Sequence, residues 1–212
     1  MSNENHYIET LIAMMKEINY VQPGDVPNID LYMDQVTTFM DEYLESSKRY
    51  SDDKLLTKTM INNYTKNSLL PSPEKKKYSK DHIYILLFIY YLKNILSISD
   101  TKAILNPLTT HFFKVDRKKE SEGISLEDIY AEIFKIEKEQ SSIITKDVIR
   151  KYEKSCNSFA DVEDEEEAEI LRKFAFVSML CFDVHMKKQM IGKLVDKFFS
   201  EEEPTTGSKK KE

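Results

Sequence analysis

The sequence predicts a mainly α-helical protein with one small β wing, and three observations lead there. Leu, Ile, Met, Lys and Glu dominate, while four glycines and six prolines in 212 residues are too few for a fold built of many β turns. Apolar residues recur at helical spacing along most of the chain. One stretch breaks that spacing: after Leu69-Leu70-Pro71, the run Pro73-Glu74-Lys75-Lys76-Lys77-Tyr78 is a tight basic turn.

Taken in order, residues 5–20 predict a helix with Tyr7, Ile8, Leu11, Ile12, Met15 and Ile18 as its stripe, ended by the loop from Gln22 to Pro27. This arm, residues 1–24, packs either on the next module or on another subunit. Residues 31–44 predict a second helix with Tyr32, Val36, Phe39, Met40, Tyr43 and Leu44 inward. Thr57 caps a third, short helix by accepting a backbone N–H. Its Leu56, Met60, Ile61 and Tyr64 gather on one face, and Lys58, Thr59, Asn62, Asn63 and Lys66 on the other. The ten residues between these two helices, 45–54, exceed the three or four of an ordinary helix-turn-helix. Either the connector loops outward or the two helices are not a pair.

Ser79 caps the next helix, residues 80–96, which is apolar nearly all round and therefore an inner element. A shorter one follows, with Ile98, Ala103, Ile104 and Leu105 inward, stopped by Asn106-Pro107; Thr101 stands where an apolar residue is expected. The charged stretch from His111 to Gly123 marks the domain boundary, placing one domain at 25–110 and a helical C-terminal domain at 122–200. There Ser125 caps a helix, Thr145 begins another, and the acidic run from Asp161 to Glu169 opens the last and longest, ending near Phe199. The segment Phe174 to Met186 is apolar on almost every side, which requires burial by more than one neighbour: a core, a subunit interface or a pocket wall. Residues 201–212 are expected to be disordered.

An exposed helix face of Asn, Thr and Lys beside a lysine turn has the chemistry to read DNA. Amides pair with adenine edges, and lysines meet guanine or phosphate. Seven lysines lie between Lys54 and His82 against Glu74 and Asp81, although the whole chain carries a net charge of −6. That balance argues against indiscriminate coating of nucleic acid while leaving a local basic field. The expected DNA-binding residues are Lys58, Thr59, Asn62, Asn63, Lys66, Lys75, Lys76, Lys77 and Tyr78. Adjacent Asn residues are unfavourable inside a helix, so Asn62 and Asn63 mark either a functional demand or a frayed last turn.

Met60 to Pro71 (MINNYTKNSLLP) resembles the second helix and exit of a MerR-type winged helix, whose usual pattern is Thr-Leu-Arg-Tyr-Tyr-Glu, a variable pair, then Gly-Leu-Leu-Pro. Tyr64, Leu69, Leu70 and Pro71 match; Asn62 stands in the Arg place, Asn63 in the first Tyr place and Ser68 in the Gly place. Lys75-Lys76 replaces the usual Tyr-Arg pair of the wing, and Tyr78-Ser79 fits. Over Ile29 to Leu105, the strings IDLYMDQVTTFM, LTKTMINNYTK, KKKYSKDHI and YYLKNILSISD resemble the bacterial family of domain of unknown function 1836. Both resemblances imply a MerR-like winged helix-turn-helix in residues 25–110 and a DNA-binding transcriptional regulator. The expected partners are double-stranded DNA and a second copy held through the C-terminal helices, with a small-molecule effector left open.

Catalysis has little support: there is no glycine-rich phosphate loop, nucleophile elbow or His-Glu-x-x-His, and the four histidines are scattered. No cofactor is expected. Cys181 and His185 share a helix face, but two ligands do not make a metal site. Cys156 and Cys181 show no disulfide framework, and the longest apolar run, Ile83 to Leu92, is too short to span a bilayer, so a cytoplasmic protein is expected. The rival expectation is a protein-interaction module on a winged-helix scaffold without DNA binding; an RNA binder is weaker, because the exposed face lacks aromatic stacking platforms.

Overall fold

The computed structural model describes residues 2–17, 20–114 and 123–199. The tail expected to be disordered lies outside them, as does most of the charged stretch taken as the domain boundary. Helices α1 (Ser2–Glu17), α2 (Met33–Tyr43), α3 (Lys58–Lys66), α4 (Lys80–Lys93), α5 (Ile98–His111), α6 (Leu126–Cys156) and α7 (Glu165–Phe198) carry the fold, with two short strands, β1 (Leu31–Tyr32) and β2 (Lys77–Tyr78). The protein is mainly α-helical with a small two-stranded antiparallel sheet.

The core is built round α4. Every residue from His82 to Tyr90 is buried, because α5, α6 and β2 pack on this helix and α2 and α3 contribute to the same core. Each buried Ile or Leu there contributes about 1.5–3 kcal/mol relative to exposure. Val36, Phe39 and Met40 of α2, Ile61 and Tyr64 of α3, and Leu69 and Leu70 beyond it join that core, as do Leu105 of α5 and Leu126 and Tyr130 of α6. The first turns of α6 thus share one core with the segment before the charged stretch. The Tyr130 hydroxyl donates to the Val21 carbonyl at 2.6 Å, and the Tyr84 hydroxyl donates to that of Pro23 at 3.2 Å. Thr101 is fully buried, which it tolerates because its hydroxyl donates to the Ser97 carbonyl at 2.8 Å.

Several expectations need correction. The second helix starts two residues late, because Leu31 and Tyr32 are extended and pair antiparallel with Tyr78 and Lys77. The sheet is therefore not the two arms of one hairpin: the lysine turn closes on itself only through the single Glu74–Lys77 bridge, and β2 is completed by β1. Tyr32 and Tyr43, expected inward, are 53% and 40% exposed. Despite the ten-residue connector, α2 and α3 do pack together.

Helix α5 runs through Pro107 to His111 instead of stopping at Asn106. The proline forfeits one helical hydrogen bond, but continuing the helix lets Leu108 reach the core. Ile98 points outward, 45% exposed. Thr145 begins nothing: α6 is one helix of 31 residues, with no Gly or Pro to break it, and the Ser142 and Thr145 hydroxyls turn back onto the carbonyls of Glu139 and Ser141. Finally, the apolar segment of α7 is not enclosed: Phe174, Phe182 and Met186 are 69%, 69% and 67% exposed.

The N-terminal arm packs on α6, where Tyr7 stacks on Tyr152 with ring centroids 4.7 Å apart. Helix α7 opens as expected, Asp164 accepting the N–H groups of Glu166 and Glu167 at 2.9 and 3.2 Å. Among the described residues no helix is long and apolar enough to cross a membrane.

Candidate nucleic-acid interface

Helix α3 is short because both its ends are fixed. Thr57 accepts the Met60 N–H at 3.2 Å. At the other end Ser68 turns left-handed, with φ of 54°, so that the Leu69 and Leu70 N–H groups fold back onto the Tyr64 carbonyl at 2.9 and 3.2 Å. This left-handed position, usually filled by glycine at a helix end, drives Leu69 and Leu70 into the core. Inward, Ile61 and Tyr64 are buried and Met60 is half-buried. Outward, Lys58, Thr59, Asn62, Asn63 and Lys66 are all exposed. Among the described residues, the side-chain amides of Asn62 and Asn63 make no hydrogen bond within the chain; the Asn63 backbone carbonyl accepts from the Asn67 backbone and side-chain N–H groups at 3.0 and 2.8 Å.

The lysine turn has a defined geometry. Glu74 and Lys77 exchange backbone hydrogen bonds of 3.1 and 2.8 Å, and between them Lys75 and Lys76 have φ of 48° and 65°. Positive φ at both central residues is the type I′ hairpin turn, for which Asn-Gly is the favoured pair. Lysine at these positions costs on the order of 1 kcal/mol each. In return, both ammonium groups stand exposed at the tip. Lys77 is half-buried, its ammonium 5.3 Å from the centroid of the Tyr32 ring.

Tyr78, expected on the interface, is instead a core residue, 3% exposed, because β2 turns alternate side chains to opposite faces and its ring falls inward. It meets His82 edge-on at 5.5 Å.

His82 was not singled out by the sequence, and it pins the turn. Its Nδ1 accepts the Ser79 N–H at 3.0 Å and lies 2.8 Å from the Ser79 hydroxyl, while Nε2 lies 3.4 Å from the Ser72 carbonyl. The pattern fits the neutral ring with its proton on Nε2. Ser72 precedes the turn and Ser79 follows it, so one buried ring ties the two ends together. Burial pushes the His82 pKa down from 6.5 to about 4. The available signal was the Ser-x-x-His spacing, which places a side-chain acceptor within reach of the capping residue's N–H.

The turn and the start of α3 lie along one edge. The Lys58 ammonium is ion-paired with the Asp34 carboxylate in the first turn of α2, and Tyr32, which carries Lys77 on its ring, precedes α2 directly. On the far side of the turn, Lys114 pairs with Glu74, and its N–H donates to Asp81 at 2.8 Å. The Lys114 ammonium holds the Glu74 carboxyl below the ordinary range. Cys181 and His185 are exposed on α7, Cys156 is half-buried, and among the described residues no group of three or more His, Cys, Asp or Glu side chains is placed to hold a metal ion.

The class defined so far is a helical protein whose small sheet ties a capped, polar-faced helix to a lysine turn. The chain belongs to the family described as domain of unknown function (DUF1836), which it matches over residues 21–133. That span runs from the residue whose carbonyl Tyr130 holds to the early turns of α6. No curated protein and no solved structure matches the chain.

Proposed function

We propose that this protein binds double-stranded DNA sequence-specifically and acts as a transcriptional regulator through a MerR-like winged helix-turn-helix. Helix α3 enters the major groove, Asn62 and Asn63 read base edges, and Lys58, Thr59 and Lys66 flank them. Lys75 and Lys76 hold the neighbouring backbone, with Lys77 behind them. The observation that carries this is the pairing of two hydrogen-bond-competent amides on a helix locked from behind with two lysines raised at left-handed φ. Further support comes from the order of elements, in which the polar-faced α3 is followed directly by the basic turn and the buried α4. Lys58 is engaged with Asp34 and has to be released, or shared, to reach a phosphate.

The test compares a duplex selected from genomic fragments with a random duplex and single-stranded RNA, each at two salt concentrations. Preference for the selected duplex is expected, and Asn62→Ala should cost about 1–3 kcal/mol of discrimination at one base position. A protein-interaction module without DNA binding is favoured by the uncovered apolar side chains of α7; it predicts no DNA complex even at low salt.

A further inference from the structure

The face of α7 turned away from α6 carries an uncovered apolar seam. On the covered side, Phe176 meets Tyr152 of α6 edge-on at 5.5 Å and Asp183 reaches Lys151 of α6 at 2.6 Å. On the other side, Ile170, Phe174, Val177, Cys181 and Val184 follow at intervals of four, three, four and three residues. Ile170, Phe174, Val177 and Val184 are 62%, 69%, 57% and 61% exposed, and Cys181 is exposed as well. Alternating steps of four and three keep side chains in line along a two-stranded coil, where each inserts between residues of a facing helix. A single exposed apolar residue needs no explanation, but five in such a line mark a contact surface. The residues outside the described set contain only Met1, Ile18 and Val115 as large apolar side chains, too few and too scattered to cover it.

We propose that a second copy of this chain covers the seam, with the two α7 helices antiparallel about an axis near Val177. Charge selects both the occupant and its direction. The helix opens with Glu165, Glu166, Glu167 and Glu169, and Lys187 and Lys188 follow the seam. Glu165 and Glu169 are already paired within α7, to Arg172 and Lys173. Glu166, Glu167, Lys187 and Lys188 form no ion pair among the described residues. An antiparallel partner sets Glu166 and Glu167 of each chain against Lys187 and Lys188 of the other. A parallel partner sets carboxylate against carboxylate. The inference stands on α7 alone and holds whether or not the chain binds DNA.

Sedimentation equilibrium of the full chain tests it. The wild type should sediment at twice the 24.9 kDa of one chain. The double variant Phe174→Glu/Val177→Glu should sediment as a single chain with its far-ultraviolet helical signal intact. Lys187→Glu/Lys188→Glu, at exposed positions just past the apolar side chains, should weaken the dimer about tenfold or more, and adding Glu166→Lys/Glu167→Lys to it should restore the dimer. A wild type sedimenting as one chain at micromolar concentration would overturn the proposal. So would a dimer indifferent to Phe174→Glu/Val177→Glu, or one that ignores the lysine reversal, as a parallel pair would.

Discussion

Ser68, Lys75 and Lys76 all hold left-handed backbone without being glycine, but for different reasons. Ser68 only lets the chain leave α3, so Ser68→Gly should stabilise the protein by about 0.5–1 kcal/mol and leave DNA affinity unchanged. Lys75→Asn/Lys76→Gly supplies the pair this turn prefers and should also raise the urea midpoint, yet weaken DNA binding. A gain in both properties would show that the lysines have no role at the tip. His82 contributes a pH dependence. Its folded pKa, about 4, lies below the unfolded 6.5, so in that interval the unfolded chain binds the proton more strongly and stability falls as pH drops. Roughly 2 kcal/mol should be lost between pH 7 and pH 5, and His82→Gln should flatten urea midpoints over that range.

At the scale of elements, what could be read locally came out of the sequence. Helix α3 was legible because Thr57, the apolar triplet of Met60, Ile61 and Tyr64, and the Leu-Leu-Pro exit all sit within a dozen residues or so of one another. Helix α4 was legible because a continuous apolar run has to lie inside. Strand β1 was not: Leu31 and Tyr32 blend into the spacing of α2, and only pairing with β2 more than forty residues away makes them extended. The unbroken α6 was missed because Thr145 looks like a restart, whereas its hydroxyl bonds the Ser141 carbonyl of the same helix. Proline 107 misled in the same way, since distant burial of Leu108 outweighs a local penalty. The tie between α6 and the start of the family span is equally non-local. Removing the buried hydroxyl with Tyr130→Phe leaves the Val21 carbonyl without that donor, and should cost about 1–3 kcal/mol in urea unfolding.

For the whole molecule, the lysine turn and the uncovered apolar side chains belong to different elements. Lys58, Lys66, Lys75, Lys76 and Lys77 lie on α3 and the turn, four glutamates open α7, and uncovered apolar side chains lie along that same long helix. The apolarity of α7 was plain from the sequence, which predicts burial but cannot say by which chain; within one chain, α5 and α6 pack on α7 and leave Ile170, Phe174, Val177 and Val184 exposed. The candidate interface was mostly legible, because Lys58, Thr59, Asn62, Asn63, Lys66, Lys75 and Lys76 are exposed where the helical spacing and the turn put them. Tyr78 was misjudged, since the direction of a side chain in a two-residue strand depends on its partner strand.

The most direct test is the salt dependence of affinity for a genomically selected duplex, measured by fluorescence anisotropy for the wild type and for Lys75→Ala/Lys76→Ala. If both ammonium groups meet phosphates, the slope of log affinity against log salt should fall in magnitude by about 1.8 in the variant, roughly 0.9 for each contact. Identical affinity and identical slope for the two proteins, or no binding to any duplex at low salt, would contradict the assignment of this turn and helix to DNA.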